Sequence, residues 1–202
     1  MLKIYHARHT RGVRVIWTAE EIGVAYELKH MPFDPGSLRS DEFLRINPFG
    51  ALPAIEDGGV TMTESGAICQ YLTERHGHAP FKRTMDDADY ATYLQWVHAG
   101  EATLSPPLSL VLQHTRGPED KRVLRIADES REKFYTHLAV IDRALHGKDY
   151  LLGDDFTLAD VMVGYALHLA ALIKLMNDAP PHAAAYWERL KARPAYQKAI
   201  SA

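Results

Sequence analysis

Cysteine is almost absent from this chain: Cys69 is the one cysteine among 202 residues. That excludes an internal disulfide, a CxxC dithiol cycle and a thiolate zinc site. An excess of one charge is absent too. Lys plus Arg number 23 and Asp plus Glu 26, a formal net charge of −3, so no global positive field holds a polyanion through counterion release, and nucleic acid is not an expected partner. No run of about 18 apolar residues occurs, and Met1-Leu-Lys-Ile-Tyr-His reaches a charge too early for the apolar core of a secretion signal. The expectation is a cytoplasmic protein with no membrane partner. GxGxxG, GxxxxGK(S/T), GxSxG and HExxH are all missing, which removes the usual warrant for four large enzyme classes. The 11 histidines give no metal pattern. His6 and His9 are split between a strand end and a loop, and His76 and His78 leave a helix with no nearby carboxylate, so no metal is expected.

What is present is ordinary globular chain. Hydrophobic residues make up 47% and charged residues 24%, and the length suffices for one large domain or two small ones. Leu2, Ile4 and His6 alternate with Lys3 and Tyr5, the period of a strand with one buried face. Val13, Ile16, Trp17, Ala19 and Ile22 then fall at helical spacing, and Gly23 suits a left-handed helix end. Residues 25–30 alternate again, so a β-α-β unit with parallel pairing is expected. Residues 34–40 read as a loop and 41–46 as a short helical turn stopped by Asn47-Pro48. Residues 52–56 and 60–62 flank Asp57-Gly58-Gly59, the signal of an antiparallel hairpin. A helix over 64–76 completes a β-α-β-α-β-β-α order.

Beyond this the strand signals stop. A linker over 79–86 separates residues 1–78 from an all-helical segment over 87–202. Tyr90, Tyr93, Leu94 and Val97 begin a long helix that Pro106-Pro107 must kink or interrupt, and another carries Val123 through Leu145 to Gly147. Phe156-Thr-Leu-Ala-Asp-Val161 is a helix start specified several times over. Thr157 and Asp160 form a capping box, and Phe156 can staple onto Val161. The apolar segment that follows, through Met176, reads as the buried central helix of a bundle, with two short helices after it.

Three features lie at adjacent edges of the expected sheet. His9-Thr10-Arg11-Gly12-Val13-Arg14 sets a hydroxyl and two guanidiniums near a helix N-terminus, a place that suits an anion. Leu52-Pro53 opens the third strand, where proline removes a ladder donor and a cis bond would turn the preceding backbone groups outward. Thr63-Glu64-Ser65 starts the third helix, whose N–H groups with the Ser65 hydroxyl can hold a carboxylate while Glu64 takes an ammonium. Each also has a purely structural reading. Thr10 reads equally as a helix N-cap, Pro53 as an edge-strand residue, Glu64 and Ser65 as an ordinary helix start, and Arg8, Arg11 and Arg14 as a solvated face.

In order along the chain, Thr10-Arg-Gly-Val-Arg-Val-Ile-Trp17 with Glu20-Glu-Ile-Gly23, Asn47-Pro-Phe-Gly-Ala-Leu-Pro-Ala-Ile55, Glu64-Ser-Gly-Ala-Ile-Cys-Gln-Tyr-Leu72 and Phe156-Thr-Leu-Ala-Asp160 resemble the cytosolic, bacterial-type glutathione S-transferases. Trp96 to Pro107 resembles the corresponding helix of bacterial and fungal members. The resemblance implies an α/β plus all-α fold, with a thioredoxin-like N-terminal domain and an all-helical C-terminal glutathione-transferase domain, assembled as a homodimer. It implies glutathione as co-substrate, its thiol activated as a thiolate for attack on a small hydrophobic electrophile.

By position, the resemblance gives Leu52, before cis-Pro53, the cysteinyl backbone of glutathione, and Glu64 with Ser65 the γ-glutamyl end. Glu101 takes the place of an acidic residue that reaches the ligand's amine across the dimer. Thr10, or Arg11 or a backbone N–H in its stead, stabilises the thiolate, a task the family gives to Tyr, Ser or Cys. Ala51 replaces a frequent Gln or Lys, which removes a side chain that helps fix the ligand. Cys69 reads as core packing rather than nucleophile. Tyr90, Tyr93, Trp96 and His98 read either as a wall for the second substrate or as core. Thr10 and Ala51 also keep open a non-catalytic binding or regulatory protein and a glutathione-dependent disulfide or peroxide reductase.

Overall fold

Alternation in Leu2–His6 becomes strand β1, whose residues 2, 4 and 6 are buried while 3 and 5 are half-exposed. The structure, a computed structural model, describes residues 1–202. From β1 the chain runs through helix α1 (Gly12–Glu21) to strand β2 (Tyr26–His30), which pairs parallel to β1 from Leu2↔Tyr26 to His6↔His30. All eight residues from Gly12 to Ala19 are buried, so α1 is enclosed on every side rather than amphipathic. Gly23 ends it at φ 70, with the Val24 N–H donating to Ala19 O at 2.9 Å. That is the left-handed exit expected of this glycine.

Residues 34–40 are not wholly a loop. Asp34 accepts from the Ser37 N–H and Pro35 stands at the first helical position, which is enough to wind the short helix α2 (Pro35–Leu38) ahead of α3 (Asp41–Ile46). Strands β3 (Ala54–Asp57) and β4 (Val60–Met62) pair antiparallel around Gly58 and Gly59. Both glycines take positive φ, 55 and 88, as a two-residue hairpin loop demands. β1 pairs antiparallel with β3, giving the order β2-β1-β3-β4, and α4 (Ser65–His76) packs beside α1. A smaller cluster of Ala7, Phe43 and Leu52, with Tyr5, Met31, Leu38 and Ile46 against it, joins α3 to the sheet.

The second unit is helical: α5 (Tyr90–Ala99), α6 (Ser105–Arg116), α7 (Leu124–Ala144), α8 (Leu158–Leu172) and α9 (Pro181–Lys191). Pro106-Pro107 does not break the chain between α5 and α6. The prolines occupy the first turn of α6, where no N–H partner is needed, and a π-helical turn over Gly100–Leu104 carries the chain into them. Gly100 is required there, since a Cβ on it would lie 2.5 Å from Met162 O. α7 buries Ala127, Ser130, Phe134, Leu138 and Ile141, one helical stripe.

α8 is the central helix, buried at every position from Leu158 to Ala170. It ends at Leu172 rather than Met176, because Lys174 turns left-handed at φ 64 and a 3₁₀ turn follows over Leu175–Asp178. Its start carries the expected capping box, with Asp160 Oδ2 accepting from the Thr157 N–H at 2.8 Å.

The chain divides into Met1–Lys82 with Ala192–Ala202, and Arg83–Lys191. This differs from a C-terminal domain running over 87–202. The final helix α10 (Pro194–Ser201) belongs to the first unit because its residues bind α1. Tyr196 meets Trp17 edge-on at 4.9 Å, Arg193 grips both oxygens of Glu21 at 2.7 Å, and Lys198 reaches Glu20 at 2.7 Å.

Candidate active site

The pairing of Tyr5 with Ala54 places the exit of β1 beside the entrance to β3. Two of the three sequence features therefore meet at one end of the sheet. Ala7 and Leu52 share an apolar cluster, and the Leu52-Pro53 peptide is cis, as expected of a proline before the third strand. Because β3 begins only at Ala54, Pro53 is not in the ladder and the edge-strand reading falls.

Asn47 holds the approach to that bond. It is buried, its Nδ2 donates to Ala51 O at 2.6 Å and its Oδ1 accepts from the Phe49 N–H at 3.0 Å. In the sequence Asn47-Pro48 reads as a helix stop and as the opening of one of the resembling segments, with no bonding role for the Asn47 side chain. An Asn able to bond backbone on both sides of a turn was the signal available.

The third feature is joined through α1. Arg14 is fully buried, not part of a solvated face, and its Nη1 donates to Ser65 Oγ at 3.3 Å. Arginine has no acceptor, so the Ser65 oxygen receives that bond and its own proton points elsewhere. Ser65 is the first residue of α4, and Glu64 before it is exposed at φ 66 without capping the helix through its side chain. An α-helix leaves its first N–H groups without intrahelical partners and carries a positive dipole end there. With the hydroxyl of Ser65 and the guanidinium of Arg14 behind it, this start attracts a carboxylate, while exposed Glu64 attracts a cation. Arg14 stands in a run of buried residues on α1, and a guanidinium so enclosed needs a polar partner.

Thr10 is buried and its hydroxyl is engaged. Oγ1 donates to Ala7 O at 2.6 Å and accepts from the Gly12 N–H at 3.3 Å, which ties the turn before α1, but Thr10 stands one residue ahead of the N-cap position and is not the helix N-cap. Arg11 follows it, half-buried, at the N-cap position of α1. Glu101 lies in the second unit, in the π turn, where its carboxylate accepts from Ser105 Oγ at 3.4 Å. Tyr93 and Trp96 are buried in that unit, and His98 is exposed.

Cys69 offers no nucleophile, since it is fully buried and burial pushes its thiol up to about 11. His6, also fully buried, is pushed down to about 4 by burial, with His30 and His9 adding repulsion. No group of three or more His, Cys, Asp or Glu side chains is placed to hold a metal ion. No helix is long and apolar enough to cross a membrane. The start of α4 thus sets groups of both charges side by side, the exposed carboxylate of Glu64 and the buried guanidinium of Arg14 behind Ser65.

Comparison with known proteins identifies the family. Residues 1–74 match the model of the glutathione S-transferase N-terminal domain, and residues 126–189 that of the C-terminal domain. Glutathione S-transferase 4 of Zea mays is 33% identical over 195 residues, covering 92% of this chain and 85% of its own. A probable glutathione S-transferase, GSTF2, of Oryza sativa subsp. japonica is 30% identical, covering 99% and 96%. These are plant proteins, so the bacterial likeness expected from the sequence gives way to a plant one. Among solved structures, the theta class enzyme of Xanthomonas axonopodis pv. citri, with glutathione bound, superposes with a TM-score of 0.84 at 28% identity, over 100% of this chain and 97% of that one. Glutathione S-transferase-I bound with lactoylglutathione gives 0.84 at 27% identity, over 99% and 98%.

Proposed function

This chain belongs to the glutathione S-transferase family, and we propose that it binds glutathione at the end of its sheet and activates the thiol for attack on a small hydrophobic electrophile. The observation that carries this reading is the start of α4. Ser65 rests on the buried guanidinium of Arg14, and exposed Glu64 stands one residue before it, which together suit an α-amino acid end bearing both charges. The cis Leu52-Pro53 bond beside it offers the Leu52 backbone to a peptide ligand. The relatives support the same ligand, since solved neighbours carry glutathione or lactoylglutathione.

A free thiol with a pKa of about 8.5 is mostly protonated at neutral pH. The sulfur would sit at the start of α1, where the helix dipole and the Arg11 guanidinium both favour the anion. Glu101 would serve the ligand's amine from a partner copy in a homodimer acting in the cytoplasm.

Calorimetry with glutathione, with the ultraviolet thiolate band of the bound ligand followed across pH, tests this. Binding with a thiol pKa clearly below that of free glutathione, and turnover of an activated aryl chloride, is the expected result. No binding overturns it. Binding without a lowered pKa favours the second reading, a glutathione-binding protein without turnover, and the observation on that side is that Thr10 spends its proton on Ala7 O.

A further inference from the structure

The loop entering α1 passes through a turn that its residues do not favour. His9 sits at φ 60, the left-handed region that disfavours any residue with a Cβ. Thr10 closes this turn twice on one atom: its N–H donates to Ala7 O at 3.2 Å and its hydroxyl donates to the same oxygen at 2.6 Å. Its oxygen then accepts from the Gly12 N–H at 3.3 Å, tying the turn to the first turn of α1. Ala7, where the turn begins, packs in one cluster with Leu52 and Phe43. The side chain of Thr10 thus links the Leu52 end of the sheet to the start of the helix that carries Arg14.

A hydroxyl has one proton, and a proton given to Ala7 O is not available to a sulfur. Threonine is also stiff about its first side-chain bond, and here the oxygen is held from two sides in a buried position. We propose that Thr10 is a positioning residue: it locks the Ala7–Gly12 turn and so sets Arg11 and the mouth of α1, and it does not donate to the ligand's thiolate. This rests on the reading of the site as a glutathione site. The sulfur's charge is then answered by α1 and Arg11.

The test is a cycle of four proteins: wild type, Thr10→Val, His9→Gly and the double variant. Valine keeps the shape of threonine and removes the hydroxyl, while glycine at position 9 takes positive φ without strain. Each protein is measured for thermal stability, for kcat and KM with glutathione and an activated aryl chloride, and for the pH midpoint of the bound thiolate band. Thr10→Val is expected to lose about tenfold in kcat/KM and to unfold at lower temperature, and adding His9→Gly to recover most of both. The thiolate midpoint of the double variant is expected within about 0.3 units of wild type.

If the double variant stays as impaired as Thr10→Val, with both midpoints moved toward free glutathione, Thr10 is the sulfur's donor and the proposal is wrong. Should wild type fail to bind glutathione, the site reading falls instead. The lock is then judged by stability alone, where failure of His9→Gly to restore Thr10→Val overturns it.

Discussion

α8 begins at Thr157, whose side chain accepts from the Ala159 N–H and whose own N–H is held by Asp160, whereas α4 begins at Glu64, exposed at φ 66 with no side-chain cap. Asp160 is fully buried and also accepts from the Leu151 N–H at 3.0 Å and the Tyr186 hydroxyl at 2.8 Å. One helix start is sealed by its own sequence. The other has no side-chain cap and holds a residue of positive φ at its mouth, the open end that the proposed ligand would complete. Within one chain, one helix end is thus closed by its own side chains and another is left without a side-chain cap.

The largest expected effect breaks the sealed end. Asp160→Ala removes the acceptor for two backbone N–H groups and the Tyr186 hydroxyl, and urea denaturation should show a loss of about 3 kcal/mol. Glutathione affinity measured under native conditions should hold. Loss of binding without loss of stability would erase the contrast.

Acid tests the two units in opposite senses. Folded His6 is pushed down to about 4, below the ordinary value near 6.5, so the unfolded state binds more protons between these values. Stability from His6 is complete above about 6.5 and falls, by up to roughly 3 kcal/mol, as pH drops toward 4. Asp160 is pushed up to about 6 by burial, so over the same window the folded state binds more protons there and acid does not weaken that end. Hydrogen exchange at pH 4.5 should therefore open residues around β1 and α1 before those of α8. The reverse order would show that His6 is not the acid-sensitive group.

Ser65→Ala should lower glutathione affinity about thirtyfold, the equivalent of roughly 2 kcal/mol for a hydrogen bond to a carboxylate, with under about 1 kcal/mol change in stability. Calorimetry beside a denaturation curve decides whether the open end is a binding device. The smallest effect sharpens the same point. Glu64→Gly relieves the positive φ and should stabilise by about 0.5 kcal/mol while weakening glutathione binding. A variant that gained stability and kept its affinity would leave Glu64 without a role in the ligand's amine.

Elements set by neighbours in the chain were legible. The Gly58-Gly59 hairpin, the Gly23 exit and the Thr157–Asp160 box depend on residues within a few positions, and each appears where the pattern placed it. The three edges of the candidate site were legible as loci, and the cis bond before Ala54 was expected from proline at a strand start. The states of their side chains were not. Nothing local tells a buried Arg14 from a solvated one, or shows that Thr10 gives its proton to Ala7 O.

The sequence by itself determined the alternation of strand and helix, the capping box of α8 and the glycine exit of α1, and the family to which the chain belongs, because these follow from short-range geometry and ordered motifs. Only the tertiary structure decided that Arg14 meets Ser65, 51 residues away, and that Arg193 meets Glu21, 172 residues away, docking α10 on α1. Such contacts depend on how closed surfaces exclude water around charged groups, and that exclusion exists only once the whole unit has folded.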